Sequence, residues 1–154
     1  MKNLIEIIKQ INFNHAPTRP VILRNGELEA LEVIENQSMV IRFEPSKFEL
    51  YLTKTQRKGL AINGVILNEI VNTKKILNAN VLSELMVRQN LIPETWKKDK
   101  YGNTRYILFW GTIYSSSDNC LYVRNLYWKG EQWCSECCWV NDYFDSNNYV
   151  ALYP

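Results

Sequence analysis

The stretch RYILFWGTIYSSSDNCLYVRNLYWKGEQWCSECCWV, Arg105 to Val140, decides the fold. It contains three runs, RYILFWGTIY, CLYVRNLYW and QWCSECCWV, rich in the β-branched and aromatic side chains that suit a pleated surface. SSSDN separates the first pair and KGE the second, and both are polar segments of the kind that reverse a chain tightly. Three such runs joined by two short turns predict an antiparallel meander. Thirteen of the chain's nineteen aromatic residues lie in residues 104–154, so this sheet carries most of the aromatic surface.

Upstream, the apolar period changes. Residues 64–72 predict a helix with Val65, Ile66, Ile70 and Val71 on one side. A second helix opens after Asn78 or Asn80, both good N-caps, and carries Val81, Leu82, Leu85 and Met86. Pro93 suits the first position of a short helical turn leading to Trp96. SMVIRF and KFELYL flank Glu44-Pro45-Ser46 and read as strands: Met39, Ile41 and Phe43 alternate in one, Phe48, Leu50 and Leu52 in the other. Two further apolar runs surround Asn25-Gly26, a dipeptide that tolerates the positive φ angles of a type I′ hairpin turn. Leu4, Ile5, Ile8 and Ile11 recur at helical spacing and predict a helix over residues 3–11, ended by Pro17 and Pro20. The expected fold class is α+β, one domain over residues 1–154. Residues 1–103 form a scaffold half with the N-terminal helix, hairpins and two central helices; residues 104–154 form an aromatic-rich antiparallel sheet and a terminal loop.

Charge narrows the range of partners. The formal net charge is +2. Residues 1–103 carry a net +4 and residues 104–154 a net −2, so basic charge and aromatic surface fall in different halves. A nucleic-acid binder concentrates both on one face, and this division argues against nucleic acid. No apolar run reaches the roughly 18 residues of a membrane span, so no membrane insertion is expected. MKNLIEIIKQINF is broken by Glu6 and Lys9 and lacks a small-residue cleavage site, which sets a cytoplasmic location as the expectation. There the thiols stay reduced.

All four cysteines lie in or beside the meander: Cys120, Cys134, Cys137 and Cys138. On one strand, Cys134 and Cys138 share a face about 13 Å apart, at roughly 3.3 Å per residue. Cys137 points the other way. Thiolates placed so do not converge on one ion as structural zinc requires, and the expectation is no metal and no cofactor. The remaining readings are free thiols on a sheet, or a cross-strand Cys120–Cys134 disulfide in an oxidising compartment. The single histidine, His15, precedes Ala-Pro in an expected loop with no local partner for nucleophilic catalysis. The glycines are scattered, without a phosphate-binding pattern. Asp142 and Asp145 sit in NDYFDSNNY, where such residues make turns. No catalytic residue is expected, and the chain reads as a non-enzyme.

The aromatics carry the strongest signal. Trp133 and Trp139 fall on one face of a regular strand, with Ser135 and Cys137 between them, while Cys134, Glu136, Cys138 and Val140 take the other. Neither face is a clean apolar strip, and alternation slips again between Val123 and Leu126. A bulge or burial on both faces accounts for that. So does a sheet that displays Tyr, Trp, Asn, Cys and Glu for binding, as antibody loops display their aromatic and amide residues.

FELYLTKTQRKG, ILNANVLSELM, LIPETWK, ILFWGTIY and LYVRNLYWKGEQW together resemble a group of small bacterial proteins, over residues 43–148. In that group the tail differs at codons readable as Asn or Tyr in a template. This is similar to the variable proteins of diversity-generating retroelements, whose rewritten C-terminal segment sits on a C-type-lectin fold and binds varied ligands. Trp139-Val140-Asn141-Asp142 also resembles the Trp-Asn-Asp element of sugar-binding C-type lectins, with one inserted residue that shifts the following side chains to the other strand face. That element would make a calcium loop; an ordinary polar loop is the simpler expectation.

The resemblance implies a reduced C-type-lectin-like fold and a binding protein with a diversifiable surface for a protein or other ligand. Its implied variable positions are Tyr122, Asn125, Tyr127, Lys129, Cys134, Glu136, Cys137, Cys138, Asn141, Asp142, Tyr143, Asp145, Asn147 and Asn148, with Trp128, Gly130, Trp133 and Trp139 as framework. Two rivals stand beside it. One is a mobile-element or phage-type inhibitor with a fixed surface that includes Lys54, Arg57 and Lys58. The other is a cysteine-dependent enzyme. An exposed aromatic sheet also serves a homo-oligomer interface.

Overall fold

The structure, a computed structural model, describes residues 10–154. In chain order its strands are β1 (Gln10–Asn12), β2 (Val21–Arg24), β3 (Glu27–Ala30), β4 (Glu32–Asn36), β5 (Val40–Arg42), β6 (Glu49–Tyr51), β7 (Ile62–Asn63), β8 (Tyr106–Ser115), β9 (Leu121–Lys129), β10 (Gln132–Trp139), β11 (Tyr143–Phe144) and β12 (Asn148–Leu152). The helices are α1 (Lys54–Arg57), α2 (Gly64–Val71) and α3 (Ala79–Val87). The fold is mixed α+β, its sheets mainly antiparallel.

The meander forms where the sequence places it. β8, β9 and β10 pair antiparallel, with Trp133 opposite Trp128 and Ile107 opposite Leu126. Gly130 and Glu131, at φ 60° and 61°, close the β9–β10 hairpin, and Asn25 and Gly26, at 50° and 78°, close the β2–β3 hairpin. Both are the paired positive angles of a type I′ turn.

The expected terminal loop is corrected in part. Only residues 140–147 behave as turns around the short β11; Asn148–Leu152 is a strand inside the sheet. β12 runs parallel to β8 and antiparallel to β6, giving the order β10-β9-β8-β12-β6, with β4 also on β8. β12 and β4 share one edge of β8, at its two ends. The segment Ile76–Asn78 is wedged between them: Leu77 N–H donates to the Ala151 carbonyl and Gly111 N–H to the Leu77 carbonyl, both at 3.0 Å. A Cβ on Gly111 would lie 2.9 Å from the Asn78 backbone, so only glycine fits. At this point β8 bulges: Phe109 opposes Arg124 while Tyr114 opposes Tyr122.

Burial of both faces explains the poor alternation. On one face, Ile107, Phe109, Leu126 and Trp133 pack with Val81, Leu82 and Leu85 of α3 and with Met39, Phe43 and Trp96. On the other, Leu108, Trp110, Val123 and Val150 pack with Leu67 and Val71 of α2 and with Ile62 and Phe144. Leu31, Ala79 and Tyr114 form a small third cluster beneath β2–β3.

Asn78 caps α3, accepting from Val81 N–H; its amide also donates to the Phe13 and Gln37 carbonyls, each at 3.0 Å. Two helix readings are corrected. The expected helix over 3–11 lies outside the described residues except at Gln10 and Ile11, which belong to β1. In α2 the buried stripe is Gly64, Leu67 and Val71, whereas Val65 and Ile66 are about half exposed, at 50% and 53%. The tight seat of Gly64 against Val140 sets that rotation. Pro93 stands one place earlier than expected, at the N-cap of the 3₁₀ turn Glu94–Trp96.

Candidate functional site

Cross-strand register builds the exposed part of the α2-side face. Cys134 lies opposite Tyr127 on β10 and β9, and Asn148 lies opposite Tyr106 on β12 and β8. The Tyr106 and Tyr127 rings meet at 5.2 Å between centroids. The row Cys134–Tyr127–Tyr106–Asn148 therefore crosses four strands, and every member is half-buried. Glu136 stands beside it, exposed, with Tyr127 Oη donating to its carboxylate at 3.4 Å. Burial, and then the Glu136 charge, push the Tyr127 hydroxyl above its ordinary pKa.

Beneath Glu136 the sheet is closed. Asn125 is 1% exposed; its Nδ2 donates to Cys138 Sγ at 3.1 Å and its Oδ1 accepts from Glu136 N–H at 3.1 Å. Asn125 thus belongs to the interior rather than to a surface, and Cys138 is half-buried beside it. Cys137 turns to the opposite face and packs with Tyr122 against the Leu31–Tyr114 cluster. All four cysteines are free, and Cys137 and Cys138 face opposite sides of the sheet. Burial raises the Cys137 thiol and pushes Cys138 up to about 12.

The other expected positions divide between two places. Asn141, Asp142 and Tyr143 are exposed beyond the end of β10. The Asp142 carbonyl accepts from Gly64 N–H at 2.9 Å and its carboxylate from Tyr143 N–H at 2.8 Å. Asp145 and Asn148 close the following turn: Asn148 Oδ1 accepts from Asp145 N–H and Asp145 Oδ1 from Asn147 N–H. The buried Gln56 amide of α1 holds this turn through the Asp145 and Asn148 carbonyls, both at 2.9 Å. Lys129 is exposed at the β9–β10 turn.

Two residues alter the expected surface. Trp133 is buried, but Trp139 is 45% exposed and joins Tyr143, 68% exposed, at the open end of β10. Tyr106 completes the aromatic row, yet nothing local in the sequence marks it, because its place depends on register with two distant strands. His15 is exposed in a loop, and its carbonyl accepts from Asn80 Nδ2 at 2.7 Å.

Comparison with protein-family models, with curated proteins and with solved structures found no match. The fold and surface define a mixed α+β protein with a six-stranded sheet covered on both faces and an aromatic row open at one side. Among the described residues no helix is long and apolar enough to cross a membrane.

Proposed function

We propose that this chain is a non-enzymatic binding protein that presents a diversifiable C-terminal surface to a protein ligand. The observation that carries this reading is the row Cys134–Tyr127–Tyr106–Asn148 with Glu136 at its side. Backbone pairing holds these positions in the sheet, and two tyrosines supply large contact area at low entropic cost. The exposed rings of Trp139 and Tyr143 extend the aromatic surface at the end of β10. A reduced C-type-lectin-like arrangement is the fold reading that accompanies it, supported by two helices ahead of an antiparallel meander. Raised thiols at Cys137 and Cys138 support a reading without a nucleophile at either, since the thiolate is the reactive species.

Capture from a lysate by the intact protein, compared with a Tyr106→Ala/Tyr127→Ala/Glu136→Ala variant of unchanged fold, tests the surface. Loss of the captured partner is expected; full retention would place binding elsewhere. Diversification has its own readout in the flanking DNA. A near-identical template repeat beside a reverse transcriptase gene is expected, and the absence of both sinks it.

A further inference from the structure

A second site lies on the scaffold side. The end of α1, the turn over residues 99–103, the approach to β8 and the turn before β12 enclose a cleft of about 550 Å³, a size that suits a small molecule. Arg57, Lys100 and Arg105 line it against one carboxylate, Asp99, leaving a formal charge of +2. That carboxylate is already committed to its own turn: Oδ1 accepts from the Tyr101 and Asn103 backbone N–H groups and Oδ2 from Asn103 Nδ2.

Arg105 is the telling residue. Its guanidinium lies 5.0 Å from the centroid of the Tyr149 ring, yet its buried Nε has no hydrogen-bond partner among the described residues. Leaving a buried donor unmet costs free energy. A guanidinium presents planar pairs of N–H donors that match two oxygens of one anion. Tyr101 stands at the rim, 77% exposed, with Lys100 Nζ 5.0 Å from its ring centroid.

We propose that this cleft binds a small phosphomonoester, its phosphate seated on Arg105 between Arg57 and Lys100. The match of charge decides for phosphate over a single carboxylate, because a phosphomonoester carries about −1.5 to −2 near neutrality against the +2 of the cleft. The inference stands on residues outside the aromatic row, and it survives or fails independently of that row.

Calorimetric titration of the full chain at fixed ionic strength tests it, with inorganic phosphate, adenosine monophosphate and adenosine as probes. The monophosphate is expected to bind, inorganic phosphate to displace it, and adenosine alone to give no heat. Arg57→Gln/Lys100→Gln alters two exposed side chains and should weaken both phosphate probes about tenfold or more. Arg105→Lys keeps the charge but loses the planar donor pairs and should weaken them too, with melting curves confirming the fold of each variant. No binding of either phosphate probe to the native chain would overturn the proposal. So would adenosine binding as well as its monophosphate, failure of phosphate to compete, or unchanged affinity in the variants.

Discussion

Gly64 and Val140 meet so closely that no side chain fits between them. A Cβ on Gly64 would fall onto the Val140 carbonyl, 2.8 Å from its carbon and 2.7 Å from the Phe144 ring. The contact locks the first residue of α2 to the chain just past β10, and the Asp142 carbonyl adds a hydrogen bond to Gly64 N–H. Gly64→Ala should therefore cost about 2 kcal/mol or more, as overpacking against backbone does, and should loosen the 140–147 turns. Gly59, at φ 79° in open space, provides the contrast. There alanine meets only backbone strain and should cost about 1–2 kcal/mol. Urea unfolding of the two variants checks the order.

Asn78 is the polar keystone of the opposite face. It is fully buried, caps α3 and satisfies the Phe13 and Gln37 carbonyls through one amide. Asn78→Ala removes the cap and the donor to the Gln37 carbonyl, while Asn80 Nδ2 still donates to the Phe13 carbonyl at 2.8 Å, at a cost of about 2–4 kcal/mol. Asn63 caps α2 by accepting from Val65 N–H at 2.9 Å in a more open setting. Its alanine variant should cost only about 1 kcal/mol. A ratio near one between the two losses would show that Asn78 acts as a cap alone.

Much of this fold was legible because its signals are local. Asn25-Gly26, the Asn78 cap and the three meander runs each declare themselves within a few residues. What was hidden depends on distant pairing. Residues 148–152 form a short apolar run after an Asn-rich turn, and their strand identity comes from β8, some forty positions earlier. Periodicity put Val65 and Ile66 inward because it cannot foresee that Gly64 must press on Val140. Trp133 and Trp139 share a face by counting, but the cover of α3 and its neighbours reaches only Trp133. The aromatic row was half visible: Tyr127, Cys134, Glu136 and Asn148 were read from resemblance, while Tyr106 enters through register alone.

Glu131 sits at φ 61° in the β9–β10 turn, an angle that costs a residue with a Cβ about 1–2 kcal/mol. Its neighbour Gly130 already supplies the other positive angle. Glu131→Gly should relieve that strain, less the added entropy of the unfolded chain, for a net gain of about 0.5–1 kcal/mol. Thermal melts should show a higher midpoint with the fold unchanged. A lower midpoint would mean that the Glu131 side chain makes a stabilising interaction that outweighs its backbone strain.

Alkaline pH should unfold this protein partly through Cys138. Burial is the first cause of its raised thiol, with the Glu136 charge next, and together they push it from an ordinary value of 9.0 to about 12. The folded state therefore keeps a proton that the unfolded chain releases, and stability must fall as pH rises between those values. Below about pH 9 the contribution is fully present; approaching pH 12 it is lost. The half-buried Cys137 and the hydroxyls of Tyr122 and Tyr127 are raised too and add slopes of the same sign. Cys138→Ala removes the titrating group and leaves a small cavity, so it should be less stable at pH 7 yet lose less stability from pH 8 to 10.5. Denaturant midpoints across that range read the difference. Parallel pH curves for the two proteins would show that the Cys138 thiol ionises as readily in the folded chain as in the unfolded one.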